Sequence, residues 1–171
     1  LAVNLSDLAA TGATTAWFLI ALTLQRADES FLESFARGLF TLAREHGVQL
    51  VGGDTTAGPL SVSVQALGTV PAGRALRRRG AAPGDLLYVS GTPGDAAAGL
   101  AVLQARGPEA TDPHELQLLR RFLFPEPRVE LGLQLRGVAS ACIDVSDGLA
   151  ADAGRLAAAS GCAAVIDAGA L

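Results

Sequence analysis

Three oxygen-bearing side chains crowd into one short stretch, "IDVSDGL": Asp144, Ser146 and Asp147, followed by Gly148. Paired carboxylates at the start of a helix can cap it or hold a divalent cation. A cap by Ser146 or Asp147 explains one of them. It leaves Asp144 late in an apolar segment, where an unpaired carboxylate is costly, and a shared cation removes that cost. Asp54 stands in a second such stretch, "GGDTT", directly after apolar "QLV". Gly52 and Gly53 let backbone amides approach a ligand closely. The same string also suits a glycine turn with a bond from Asp54 to Thr55 or Thr56. Asp7 in "NLSDL", taken alone, reads as a solvated helix residue. Arg74, Arg77, Arg78 and Arg79 form the basic cluster, either a solvated linker or a guanidinium fork for phosphate oxygens. Aspartates at turns, neighbouring glycines and clustered arginines together suit a site that clamps a polyphosphate through magnesium. Phosphoryl transfer needs charge neutralisation and in-line positioning, so no protein nucleophile is required. No Gly-x-x-x-x-Gly-Lys-Ser/Thr loop and no triad context for a serine are present. His46 and His114 read as isolated surface residues.

Strands and helices must carry these residues. Apolar spacing predicts a helix from Val3 that closes at Gly12, then a buried strand over "TAWFLIALTL". A helix follows from Ser30, with Phe31, Phe35, Leu39 and Leu42 on one face and an end at Gly47. "VQLVGGDTT" reads as a strand ending at the glycine pair, and "LSVSVQALGTV" as another strand. The Gly-, Pro- and Arg-rich segment 71–85 is the best domain boundary, which divides the chain into 1–72 and 73–171. Beyond it, strands are expected at "LLYVSG", "ASACIDV" and "CAAVID". Helices are expected at "TPGDAAAGLAVLQARG", "PHELQLLRRFLFPEP", "RVELGLQLRGV" and "DGLAADAGRLAAASG". This alternation indicates an α+β fold of mixed α/β layers.

Bulk properties narrow the classes. Half of the 171 residues are hydrophobic and 18% are charged, which excludes a disordered chain. Net charge is -4, which argues against nucleic acid as a partner. The longest apolar run, residues 13–24, is too short for a bilayer, which takes roughly 20 residues, so no membrane partner is expected and the cytoplasm is the default location. Cys142 and Cys162 read as buried thiols in a reducing compartment. The chain has no methionine and starts in mid-pattern, which reads as an interior piece of a longer protein.

"AVNLSDLAATGA", "LVGGDTT", "ALRRRGAAPGDLLYVSGTPGDAAAGL" and "IDVSDGLAADAGRL" together resemble the thiamine-monophosphate kinase family. The resemblance spans nearly the whole chain, with the motifs in family order. It implies magnesium-assisted transfer of the γ-phosphate of ATP to thiamine monophosphate, giving thiamine diphosphate. It also implies a homodimer through the sheet of an N-terminal domain, followed by part of a larger α+β domain. By this resemblance Asp7, Asp54, Asp144 and Asp147 would hold magnesium, and Gly53, Asp54, Arg78 and Ser146 would meet ATP. Arg79 stands where family members often have serine. The family's Gly-Asp-Asp motif, the acidic segment and histidine after it, and the C-terminal part are absent, so this piece alone is expected to be inactive. Related readings are another ATP-dependent enzyme of the superfamily (aminoimidazole ribonucleotide synthetase, selenophosphate synthetase or hydrogenase maturation type), or a non-catalytic nucleotide-binding and dimerisation module.

Overall fold

β-branched and aromatic residues make Thr14–Leu24 a strand, β1, of eleven residues. In the computed structural model, which describes residues 1–110 and 112–170, β1 is the centre of a three-stranded sheet. Before it comes helix α1, Ala2–Ala10. After it comes α2, Glu29–Glu45, whose first turn is capped by Asp28 accepting the Phe31 N–H. β2, Gln49–Ala57, then lies parallel to β1, and β3, Ser61–Thr69, lies antiparallel on its other edge.

Apolar residues do not make β1 buried along its length. Only Phe18 and Leu22 are enclosed. Phe18 belongs to a core with Leu5, Ala9, Ala43, Val48 and Val129, against which Leu39 and Val64 pack. Those partners come from α1, α2, β3 and a later helix, so one face of the sheet is covered. The alternate residues lie on the opposite face, where Trp17 is 44% exposed. Burying Phe18 and Leu5 completely contributes about 1.5–3 kcal/mol each.

β2 continues through the glycine pair that the sequence suggested would end it. Phe18 pairs with Leu50 and Leu19 with Gly52, which leaves Val51 as the extra residue of a bulge. Gly53 has φ +148°, and a Cβ there would collide with the Ile20 carbonyl oxygen. Glycine is thus needed for strand-to-strand approach, and the ladder carries on to Ala57.

Two compact units result: Leu1–Ala75 with Pro127–Val138, and Leu76–Glu126 with Ala139–Leu171. α5, Val129–Gln134, joins the first. Its Gly132 lies so close to the Ala9 carbonyl oxygen that any side chain would clash. Arg136 Nε donates to the Gly12 carbonyl, and Nη2 reaches Thr14 Oγ1 at 2.9 Å.

The second unit contains α3, Asp95–Arg106, α4, Pro113–Leu123, and α6, Leu149–Ser160, with a last short turn at Ala168–Ala170. Asp112 caps α4 by accepting the N–H groups of His114 and Glu115. The three strands expected here are not formed: residues 86–90, 141–145 and 163–167 are irregular. A strand needs a ladder partner, and Cys142 N–H to Arg77 O, 2.8 Å, is a single bond rather than a ladder. Tyr88 and Val165 are left exposed. Both cysteines are free and half-buried rather than enclosed; burial pushes the Cys142 thiol up. His114 is exposed and His46 half-buried. Among the described residues, no helix is long and apolar enough to cross a membrane.

Replacing Leu5 by Ala should cost about 2–5 kcal/mol in denaturant unfolding, while Val3→Ala, on the exposed side of the same helix, should change little. Equal losses at both positions would contradict this placement of the core.

Candidate functional site

The loop at 143–148 does not cap α6 as expected. The residue at the N-cap is Gly148, so no side chain there can accept a helix N–H. The polarity is reversed. Asp152, one turn inside α6, turns its carboxylate back onto the loop, where Oδ2 accepts the N–H of Ser146 at 2.9 Å and of Asp147 at 3.0 Å. Oδ1 lies 2.5 Å from Arg155 Nη1, and the same nitrogen lies 2.6 Å from Asp147 Oδ2.

Asp152 is 2% exposed, the buried charged residue of the described chain. Burial pushes its carboxyl up. The N–H groups of Asp147 and Ser146 and the Arg155 guanidinium outweigh that, so the net shift is downward. Arg155 in turn is pushed upward, first by Asp147 and then by Asp152. The reversed cap leaves the loop's own side chains unused as helix caps, although Asp147 pairs with Arg155 of α6. Ser146 Oγ donates to Asp144 Oδ2 at 2.8 Å. Asp144, expected to be buried late in a strand, is half-buried on an irregular segment, while Ser146 and Asp147 are exposed.

The far end of α6 holds another loop of the same unit. Ser160 Oγ accepts the N–H groups of Gly80 and Ala81, both at 3.2 Å, and lies 3.3 Å from the Arg78 carbonyl as donor. One hydroxyl thereby fixes the backbone beside Arg78. The side chains of Arg77, Arg78 and Arg79 are exposed.

In the first unit, Asp54 pairs across the ladder with Ala21, on the open face of the sheet. Its Oδ1 accepts the Thr55 N–H at 2.8 Å. That is the local Asx-type bond foreseen as the plain reading of "GGDTT", made inside a strand rather than in a turn. Thr56 Oγ1 lies 3.0 Å from Thr23 Oγ1 two positions along. Asp7 is exposed on α1. Among the described residues, no group of three or more His, Cys, Asp or Glu side chains is assembled to hold a metal ion by itself.

Sequence reasoning missed Asp152, Arg155 and Ser160. A legible signal existed for the first: a carboxylate at the fourth helical position after a "VSDG" loop can reach back to orphan N–H groups, as in a capping box. Ser160 had none, since its partners are some eighty residues away.

Residues 1–70 match the family model described as AIR synthase related protein, N-terminal domain, and residues 82–171 match AIR synthase related protein, C-terminal domain. The chain is 57% identical over 173 residues to the thiamine-monophosphate kinase of Salmonella typhimurium, covering 100% of this chain and 53% of that relative. The crystal structure of thiamine-monophosphate kinase from Stenotrophomonas maltophilia aligns with a TM-score of 0.88 at 53% identity, over 94% of this chain and 52% of that one. AaThiL, solved complexed with AMPPCP and TMP, aligns with a TM-score of 0.82 at 36% identity, over 94% of this chain and 52% of that one. The chain spans about half the length of the curated relatives it matches.

Ser160→Ala removes the acceptor for two water-accessible amides and should cost about 0.5–1.5 kcal/mol in stability. Amide hydrogen exchange should accelerate at Gly80 and Ala81. Unchanged protection there would contradict the role given to this hydroxyl.

Proposed function

The chain belongs to the AIR synthase related protein family, and on that premise we propose that it is part of a magnesium-dependent kinase that phosphorylates thiamine monophosphate with ATP. The observation that carries this reading is the oxygen set Asp144, Ser146 and Asp147, presented on a tied-down loop in a chain similar to thiamine-monophosphate kinases from end to end.

The donor chemistry fits magnesium, a hard cation that prefers carboxylate and hydroxyl oxygen to imidazole or thiolate. Asp144 and Asp147 of the second unit are assigned to magnesium, and so are Asp7 and Asp54 of the first. When bound, the ion neutralises phosphate charge and orients the transferring group. Ser146, Gly53 and Asp54 are assigned to ATP. The Arg78 guanidinium is assigned to the nucleotide's phosphates, where a planar fork pairs well with two oxygens. A phosphate oxygen of thiamine monophosphate attacks the γ-phosphorus in line, the bond to the ADP oxygen breaks, and thiamine diphosphate and ADP result. No covalent protein intermediate is required.

The domains we assign are 1–72, an ATP- and magnesium-binding domain that dimerises, and 73–171, the first part of a second domain. The open sheet face, with Trp17 upon it, supports a homodimer built sheet to sheet, because exposed apolar surface of this kind favours a partner. A cytoplasmic location agrees with free thiols at Cys142 and Cys162.

Full-length protein supplied with Mg2+ and ATP should form ADP with thiamine monophosphate as acceptor, and far less with other acceptors of the superfamily. Asp144→Asn should lower kcat/KM about 10- to 100-fold. ADP formation indifferent to thiamine monophosphate would sink the reading. Trp17→Asp should shift the full-length protein towards monomer in sedimentation; an unaltered dimer would place the interface elsewhere.

A further inference from the structure

We propose that Asp152 is a positioning residue for the 144–147 loop, holding its backbone so that Asp144, Ser146 and Asp147 are not consumed as helix caps and can meet Mg-ATP, with Arg155 setting the direction of Asp147. The proposal rests on the reading of this loop as a magnesium and nucleotide site.

At an ordinary helix start, Ser146 or Asp147 would turn its oxygen onto the first N–H groups of α6 and be consumed as a cap. Here the acceptor comes from inside the helix and the donors come from the loop. Two consecutive amides bind one carboxylate oxygen, which fixes the backbone of both Ser146 and Asp147. Their side chains are exposed and not used as caps. A purely structural carboxylate at this point would be a costly choice, since it is almost wholly removed from water. Three donors compensate: two backbone N–H groups and the Arg155 guanidinium.

Arg155 adds a constraint that Asp152 alone does not supply. Its Nη1 bridges the buried carboxylate and that of Asp147, at 2.5 and 2.6 Å. One oxygen of Asp147 is thereby held towards α6. The Ser146 hydroxyl, by its bond to Asp144 Oδ2, couples the third side chain to the same frame. These bonds restrain the loop before any ligand arrives, and ordering costs are reduced when one does. Residues that orient metal ligands in this way typically shift affinity or activity about 10- to 100-fold when altered.

The test uses full-length protein and two independent readouts: amide exchange at Ser146 and Asp147, and calorimetric binding of a non-hydrolysable ATP analogue as Mg2+ is varied. Asp152→Ala should speed exchange of those two amides and raise the Mg2+ needed for half-saturation about 10- to 100-fold. Asp152→Asn, which keeps one acceptor oxygen of the same reach but turns an amide NH2 towards Arg155, should restore slow exchange and part of the Mg2+ response. It also covers the case in which Asp152→Ala fails to fold. Arg155→Lys should leave both amides slow yet raise the Mg2+ requirement, because Asp147 loses its bridge. Faster exchange in Asp152→Ala with unchanged Mg2+ dependence overturns the proposal, as does unchanged exchange. A Mg2+ dependence that follows Asp152 without any phosphoryl transfer supports the proposal while refuting the kinase reading. Wild-type protein that binds no Mg-ATP refutes both.

Discussion

A charge shut away from water has to be surrounded by donors, and in this chain that requirement falls on Asp152. Its carboxylate is nearly inaccessible, yet Ser146 N–H, Asp147 N–H and Arg155 converge on it. Each donor it needs restrains something the site uses: two backbone positions of the loop, and the side chain of Asp147 through Arg155. Releasing the loop would leave the buried charge short of partners. Keeping the charge satisfied therefore keeps the loop in shape. α6 extends the same logic at its other end, where Ser160 ties down the backbone around Arg78. One helix organises both the acidic and the basic loops of its unit.

The sheet obeys a different constraint, that of backbones approaching closely. Gly53 sits against the Ile20 carbonyl where no side chain fits, immediately after a bulge at Val51. Insertion of one residue re-aims those that come after it. Asp54 consequently pairs with Ala21 on the open face, away from the Phe18 core. Its carboxylate is exposed and engaged only with the neighbouring Thr55 amide among the described contacts.

Much of this was legible from residue order. Periodicity together with punctuating residues located the six α-helices of the described residues, though not the short turn at Ala168–Ala170: Gly12 closes α1, Gly47 follows α2, and Pro125 follows α4. The mixed α/β character followed from their alternation with β-rich runs. Three strands of the second unit were not recovered, since "LLYVSG", "ASACIDV" and "CAAVID" have strand composition but no ladder among the described residues. Composition sets a preference, whereas a strand is completed by its neighbour. "GGDTT" misled in the opposite sense. Glycines read as a stop to β2, but packing against Ile20 turned them into part of the ladder. At the site, side-chain types announced Asp144, Ser146 and Asp147, while the residue that holds them looked like one more aspartate in an alanine-rich helix.

The central claim is that the 144–147 loop is built in advance for a magnesium-bound nucleotide. The most direct measurement is a crystal structure of full-length protein with Mg2+ and a non-hydrolysable ATP analogue. Mg2+ should be bound to the Asp144 and Asp147 carboxylates, at about 2.0–2.1 Å, with Asp152 still accepting the Ser146 and Asp147 amides. A structure in which metal and phosphates occupy another part of the protein, with Asp144 and Asp147 touching neither, would contradict the claim.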